Sequence, residues 1–77
     1  MTTRIIVFGQ LTDIINSSEL ALDNIRDTDS VVEELNNRYP ALVSAKYMIA
    51  VDKQTVTENT ILKEGSTVAL LPPFSGG

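Results

Sequence analysis

The C-terminal end of this 77-residue sequence is where its residue types could do chemistry. The sequence contains no Cys and no His, so it lacks the side chains behind most transition-metal sites and many nucleophilic pairs. Between Gly65 and Gly77 no side chain is charged, and the one charge there is the terminal carboxylate of Gly77, which is ionised at neutral pH. A carboxylate resists nucleophilic attack until it is activated. The Gly77 carboxylate is therefore the candidate reacting group, held where another protein could enclose it.

The residues before this carboxylate, 72–77, are expected to form an extended reactive tail. Pro72 and Pro73 have no amide hydrogen, so a strand cannot continue through them, and the chain should leave as a polyproline-type extension of about 3.1 Å per residue. Phe74 is an apolar ring with little core of its own to fill. It is a candidate anchor in a partner's pocket, and folding back onto the domain is the alternative.

Ser75 and Gly76 complete the predicted tail-binding segment. Because Gly76 and Gly77 have no side chains, they can enter a channel that is too narrow for any other residue. Two terminal glycines alone would be equally consistent with an inert flexible tail. The interpretation as a reactive end therefore needs the rest of the chain.

The elements that position this tail are predicted from apolar patterning. Runs rich in β-branched and aromatic residues predict strands, and polar breaks predict the turns between them. The expected elements are a strand over 3–10, a helical turn over 11–15, a short strand over 19–23, and further strands over 46–51, 55–57 and 67–71. The last of these has almost no polar alternation, which predicts a central strand buried on both faces.

One main helix is expected across one face of the sheet. Ser30 and Glu33 have the spacing of a capping box, so the helix is predicted to begin near Ser30 and to continue to Tyr39. Apolar residues recur at helical spacing and supply one buried stripe, made of Val31, Val32, Leu35 and Tyr39. Pro40 ends the helix because it disfavours a helical conformation at the residue before it.

This order of elements predicts an α+β fold of the ubiquitin-like β-grasp type, with a mixed sheet of four to five strands. Residues 1–77 are expected to form a single domain. A net charge of −4, from ten acidic and six basic residues, offers no basic face for nucleic acid. No apolar stretch approaches the roughly 20 residues of a membrane span. Binding to nucleic acid or to a membrane is therefore not expected, and the cytoplasm is the expected location.

The C-terminal residues resemble a known family. The run Leu70-Leu71-Pro72-Pro73-Phe74-Ser75-Gly76-Gly77 is similar to the C-terminal signature of the small subunit of molybdopterin synthase. Glu64-Gly65 and Ala50-Val51 match at suitable spacing, and Phe8-Gly9-Gln10-Leu11 resembles the family's first strand and its exit.

The resemblance implies a sulfur carrier for molybdenum cofactor biosynthesis, in a hetero-oligomer. An adenylating enzyme resembling ubiquitin-activating enzymes would adenylate Gly77 with ATP, and a sulfur donor would convert it to a thiocarboxylate. The tail would then deliver sulfur to cyclic pyranopterin monophosphate inside the large synthase subunit. The chain itself would bind no cofactor and no metal, and ATP would be used by the activating partner.

Three alternatives remain open on the sequence alone. The sulfur carrier of thiamine biosynthesis shares the fold and the Gly-Gly end, although it resembles the Pro-Pro-Phe tail less well. A ubiquitin-like modifier joined to lysines would use the same terminus. A β-grasp interaction module with an inert tail belongs to a different class and would bind a protein through a sheet edge or an acidic face.

Overall fold

The structure is a computed structural model that describes residues 2–73. Met1 and residues 74–77 lie outside the described part of the chain. The predictions made for Phe74, Ser75, Gly76 and Gly77 therefore fall outside the described residues, whereas those for Pro72 and Pro73 fall within them.

Five strands form one mixed sheet. Their bounds are Thr2–Val7 (β1), Glu19–Asp23 (β2), Met48–Val51 (β3), Gln54–Val56 (β4) and Thr67–Leu71 (β5). They lie in the order β2-β1-β5-β3-β4, with β1 and β5 parallel and the other neighbours antiparallel. The first and last strands are thus neighbours at the centre. This arrangement, with its one main helix, confirms the predicted α+β β-grasp fold.

The helical elements are α1 (Leu11–Ile15), α2 (Thr28–Arg38) and a 3-10 helix over Pro40–Ser44. The core lies on one face of the sheet, where apolar side chains of α1 and α2 pack in one cluster with those of β1, β2 and β5. The large members of this cluster that are fully buried are Ile5, Leu22, Val31, Leu35, Leu42, Val68 and Leu70. Burying such residues is what stabilises a domain of this size.

The main helix begins earlier than predicted. Its N-cap is Asp27, whose carboxylate accepts a hydrogen bond from the backbone N–H of Ser30 at 2.9 Å. The predicted capping box at Ser30 is therefore wrong. Val32, which was predicted to belong to the buried stripe, is only half-buried, whereas Thr28 in the first turn is buried. The end is confirmed, because helical residues stop at Arg38, before Pro40.

Strand β5 is central, as predicted, but it is not buried on both faces. Its burial alternates: Val68 and Leu70 are fully buried, whereas Thr67, Ala69 and Leu71 on the other face are half-buried. The reason is that α2 covers only one face of the sheet. Within residues 2–73, no helix covers the opposite face.

Three strands differ from their predicted bounds, and for β1 and β4 the reason is backbone geometry. β1 stops at Val7, since Gly9 has φ of +61° and turns the chain into α1. Asp52 and Lys53 both have positive φ, so the β3–β4 hairpin closes with two residues and β4 begins at Gln54. β3 begins only at Met48 rather than at residue 46.

No helix in the described part of the chain is long and apolar enough to cross a membrane. Between residues 2 and 73 there is also no group of three acidic, His or Cys residues placed to hold a metal ion.

Candidate functional site

The described part of the candidate site is the root of the tail, where β5 leaves the sheet. Leu70 still belongs to the sheet, because its carbonyl accepts a hydrogen bond from the Phe8 N–H at 3.0 Å. β5 ends at Leu71, as predicted from the prolines that follow it. Pro72 is half-buried and Pro73 is exposed. The chain therefore emerges from the central strand, which is paired on both sides up to that point.

Pro72 lies directly on Gly9. A Cβ atom added to Gly9 would be 2.6 Å from Cγ of the Pro72 ring, closer than side-chain carbons approach, and 3.5 Å from Cδ, an ordinary contact distance. The carbonyl of Gly9 accepts two hydrogen bonds from Thr12, one from its N–H at 3.2 Å and one from its hydroxyl at 2.8 Å. The turn between β1 and α1 is thereby fixed beneath the tail root.

A groove of about 200 Å³ borders the tail root. Leu11 and Ile14 of α1 line one part of it, Lys46 lies in the loop before β3, and both prolines contribute their rings. Among the described residues, Lys46 is the one charged side chain that lines this groove. The groove thus offers one amine beside apolar side chains at the tail root.

The face of the sheet opposite the core is apolar and uncovered within residues 2–73. We call it the outer sheet face and define it by five side chains: Ile6, Phe8, Ala50, Ala69 and Leu71. They line a concave region of about 560 Å³, and Phe8 is 46% exposed. Because Leu71 immediately precedes Pro72, this face is continuous with the tail. A protein that enclosed the tail would lie next to it.

Charged side chains lie at the rim of the outer sheet face. Arg4 donates to Glu19 at 2.8 Å across the β1–β2 pair. The hydrogen bond from Arg4 lowers the pKa of Glu19, and the same contact raises the pKa of Arg4. Both side chains are exposed, so the pair contributes little to stability and more to the charge pattern that a partner meets.

Sequence reasoning found Pro72 and Pro73 as the point where the sheet ends, but it missed what supports them. The contact between Gly9 and Pro72 joins the first strand to the last. A glycine directly after a strand was the one signal for it, because glycine there permits both positive φ and close approach. Phe8 was also missed, since a strand residue gives no sign of which face has no covering helix.

The fold and the site together define a class, the ubiquitin-like β-grasp proteins. The chain is similar to the small archaeal modifier protein 1 of Methanosarcina acetivorans, with 22% identity, a TM-score of 0.82, and 99% and 96% of the two chains covered. It is also similar to a putative molybdopterin converting factor subunit 1 of Pyrococcus furiosus, with 20% identity, a TM-score of 0.81, and 94% and 97% covered. At these identities the likeness shows the fold.

The family follows from the sequence model. The model of the ThiS family matches residues 5–77, and the chain belongs to this family of ubiquitin-like sulfur carriers. A further match is a chain in the complex of subunits 1 and 2 of molybdopterin-converting factor from Helicobacter pylori. That match has 23% identity and a TM-score of 0.71, and it covers 100% of both chains. The suspected relationship to molybdopterin synthase small subunits is thus confirmed at the level of the family.

Proposed function

We propose that this chain is the sulfur carrier of molybdenum cofactor biosynthesis and that its reactive group is the C-terminal carboxylate of Gly77. The observation that carries the proposal is the path of β5. The central strand of the sheet runs directly into Pro72 and Pro73, so a fixed body presents the tail. The Pro-Pro-Phe-Ser-Gly-Gly end resembles the C-terminal signature of molybdopterin synthase small subunits more than that of the thiamine carrier, and this resemblance supports the choice of pathway.

The first proposed step is adenylation. A carboxylate oxygen of Gly77 attacks the α-phosphorus of ATP on an adenylating enzyme, pyrophosphate leaves, and an acyl adenylate forms. A donor that supplies sulfur at the oxidation level of hydrosulfide then attacks the acyl carbon. The new C–S bond forms as the C–O bond to AMP breaks, and the product is a C-terminal thiocarboxylate. The proposal assigns the acid and base groups to the partners, since Lys46 is the one ionisable side chain that the described residues place at the tail root.

The second proposed step takes place in the large subunit of molybdopterin synthase. The thiocarboxylate sulfur attacks an electrophilic carbon of cyclic pyranopterin monophosphate, and a C–O bond at that carbon breaks as its oxygen leaves. Water then attacks the acyl carbon of the resulting thioester and the acyl C–S bond breaks, so the sulfur stays on the pterin and the Gly77 carboxylate is released for another cycle. Two carrier molecules that bear a thiocarboxylate are needed per product because a dithiolene contains two sulfur atoms. Enclosure of the tail by the partner protects the thiocarboxylate from hydrolysis. The tail residues Phe74, Ser75 and Gly76 would then bind inside that partner.

The outer sheet face supports a large protein partner. It is apolar and continuous with the tail through Leu71, so the same partner can cover both. Burial of a patch that includes Phe8 would supply the apolar centre that stable interfaces have. The cytoplasm is the proposed location of this complex.

A second candidate is a ubiquitin-like modifier. It is favoured by the similarity to small archaeal modifier protein 1, which covers nearly the whole of both chains. A modifier would use the same acyl adenylate, but a lysine amine would attack the acyl carbon and form an isopeptide bond. The carrier of thiamine biosynthesis would also form a thiocarboxylate and would differ only in the protein that receives the sulfur.

Affinity purification of the full chain from its own cells tests the pathway. The proposal predicts that a large synthase subunit copurifies and that the bound fraction survives washing at moderate salt. Recovery of a thiazole synthase in its place would support the thiamine alternative. A ladder of lysine-linked products that resists denaturation would support the modifier.

A further inference from the structure

We propose that Gly9 is a positioning residue for the tail: its bare Cα is the seat on which Pro72 rests, and this seat sets the direction in which the tail leaves the body. The contact itself is a feature of the fold. Its consequence for reactivity rests on the proposed function.

The first observation is the closeness of the two residues. Any side chain at Gly9 would place its Cβ 2.6 Å from Cγ of Pro72, so a substitution must displace the ring. A proline ring is closed on its own backbone nitrogen, so it cannot rotate away as a flexible side chain can. The part of the displacement that a change of ring pucker does not absorb must therefore pass to the backbone of Pro72 and to the residues after it.

The second observation is that both partners of the contact are held by rigid elements. The Gly9 carbonyl is fixed by the N–H and the hydroxyl of Thr12, and the preceding Phe8 N–H donates to Leu70 at 3.0 Å. The seat and the end of β5 thus form one unit. The half-buried ring of Pro72 also borders the groove beside α1, so it has contacts on more than one side.

The third step concerns reach. When a partner draws the five residues after Pro72 out at about 3.1 Å each, the reacting carboxylate lies about 15 Å from the seat. A tilt of about 10° at the root then moves that carboxylate by about 3 Å. A shift of this size removes a reacting atom from attack geometry, so a small change at Gly9 should have a large effect at the end of the chain.

The test compares Gly9→Val with Gly65→Val. Gly65 is a matched control because it also has positive φ, +86°, but an added Cβ there would meet nothing within 4 Å. Both substitutions strain the backbone, and only the first displaces Pro72. Pyrophosphate release measures adenylation with the adenylating enzyme. We expect Gly9→Val to lower kcat/KM at least about fivefold and Gly65→Val to change it less than about twofold.

A double variant separates positioning from folding. Pro72→Gly removes the ring, so adding Gly9→Val to that variant should change kcat/KM by less than about twofold. An undiminished loss in the Pro72→Gly background would overturn the proposal, as would equal losses for Gly9→Val and Gly65→Val. Should Gly9→Val not fold, Gly9→Ala and Gly65→Ala replace the pair.

An NMR measurement on the isolated chain tests the contact between Gly9 and Pro72 separately from the proposed function. In the wild-type chain, a nuclear Overhauser effect between the Gly9 Hα protons and the Pro72 ring protons is expected. Its absence would overturn the seat even if the chain is adenylated normally. A chain that shows this contact but is never adenylated would instead contradict the proposed function and leave the contact established.

Discussion

Asp27 and Asn59, which are 32 residues apart in the chain, together build the start of the main helix. The Asn59 amide donates to one carboxylate oxygen of Asp27 at 3.1 Å, while the other oxygen accepts from the Ser30 N–H at 2.9 Å. The Asn59 carbonyl oxygen in turn accepts from the Asp29 N–H at 2.9 Å. The helix cap is therefore also a tertiary contact between the helix and the loop that precedes β5.

This cap predicts an acid-sensitive component of stability. The hydrogen bonds from Ser30 and Asn59 hold the pKa of Asp27 below its usual value. A lowered pKa means that the stabilisation is present above the unfolded-state pKa, near pH 4, and is lost as the pH falls through the folded-state pKa. Asp27→Asn keeps an oxygen that can cap the helix but does not titrate. We expect its urea midpoint to fall less than that of the wild type between pH 5 and pH 2.

Glu19 is the control for this experiment, because Arg4 also lowers its pKa. Glu19→Gln should remove a separate and smaller part of the acid dependence, since the pair is exposed. If Asp27→Asn and the wild type lose stability in parallel on acidification, the assignment to Asp27 is wrong.

Two buried threonines should respond in opposite ways to replacement by valine. The Thr28 hydroxyl accepts from the Thr60 N–H at 2.9 Å, so Thr28→Val leaves that N–H unpaired and should lower the free energy of unfolding by about 1–3 kcal/mol. The Thr3 hydroxyl is buried and has no partner among the described residues. Thr3→Val should be neutral or should stabilise by about 1 kcal/mol. Urea unfolding measures both, and a larger loss at Thr3 than at Thr28 would contradict the prediction.

Leu70 and Leu71 are neighbours that face opposite sides of β5. Leu70 is fully buried in the core, so Leu70→Ala should lower the free energy of unfolding by about 2–5 kcal/mol. Leu71 lies on the half-buried outer sheet face, and Leu71→Ala should lower it by less than about 1.5 kcal/mol. Equal losses in chemical denaturation would mean that the outer face is covered in the isolated protein.

Phe8 should contribute strongly to partner binding and little to folding. It is 46% exposed on the outer sheet face, whereas Ile61 is 70% exposed and does not line that face. Truncating an aromatic anchor typically weakens an interface by about 2 kcal/mol, or more than tenfold in affinity. We expect this loss for Phe8→Ala with the large subunit, measured by calorimetry, and less than about a twofold change for Ile61→Ala. Similar affinities for the two variants would place the interface elsewhere.

Local signals predicted several elements well. The polar break after Ile15 and the prolines after Leu71 gave the bounds of α1, β2 and β5. The start of α2 was wrong because the residue that secures Asp27 is Asn59, and no local pattern reports a partner so far along the chain. The open outer face was missed because an apolar strand pattern does not show which side a helix covers.

The candidate site was predicted only in part, because local signals report its prolines but not its tertiary contacts. The end of the sheet at Pro72 depends on the chemistry of proline and could be foreseen. The seat at Gly9 depends on the register in which β1 pairs with β5, which only the folded chain shows. The roles of Gly77, Gly76, Ser75 and Phe74 stay predictions.

The central claim, that the Gly77 carboxylate is the reacting group, is tested most directly by intact mass. The native chain and a variant with one alanine appended after Gly77 are incubated with the adenylating enzyme, ATP and a sulfur source. The claim predicts that the native chain gains the mass difference between sulfur and oxygen, located on the C-terminal peptide, and that the extended variant gains nothing. Conversion of the extended variant, or an unchanged native chain, would contradict it.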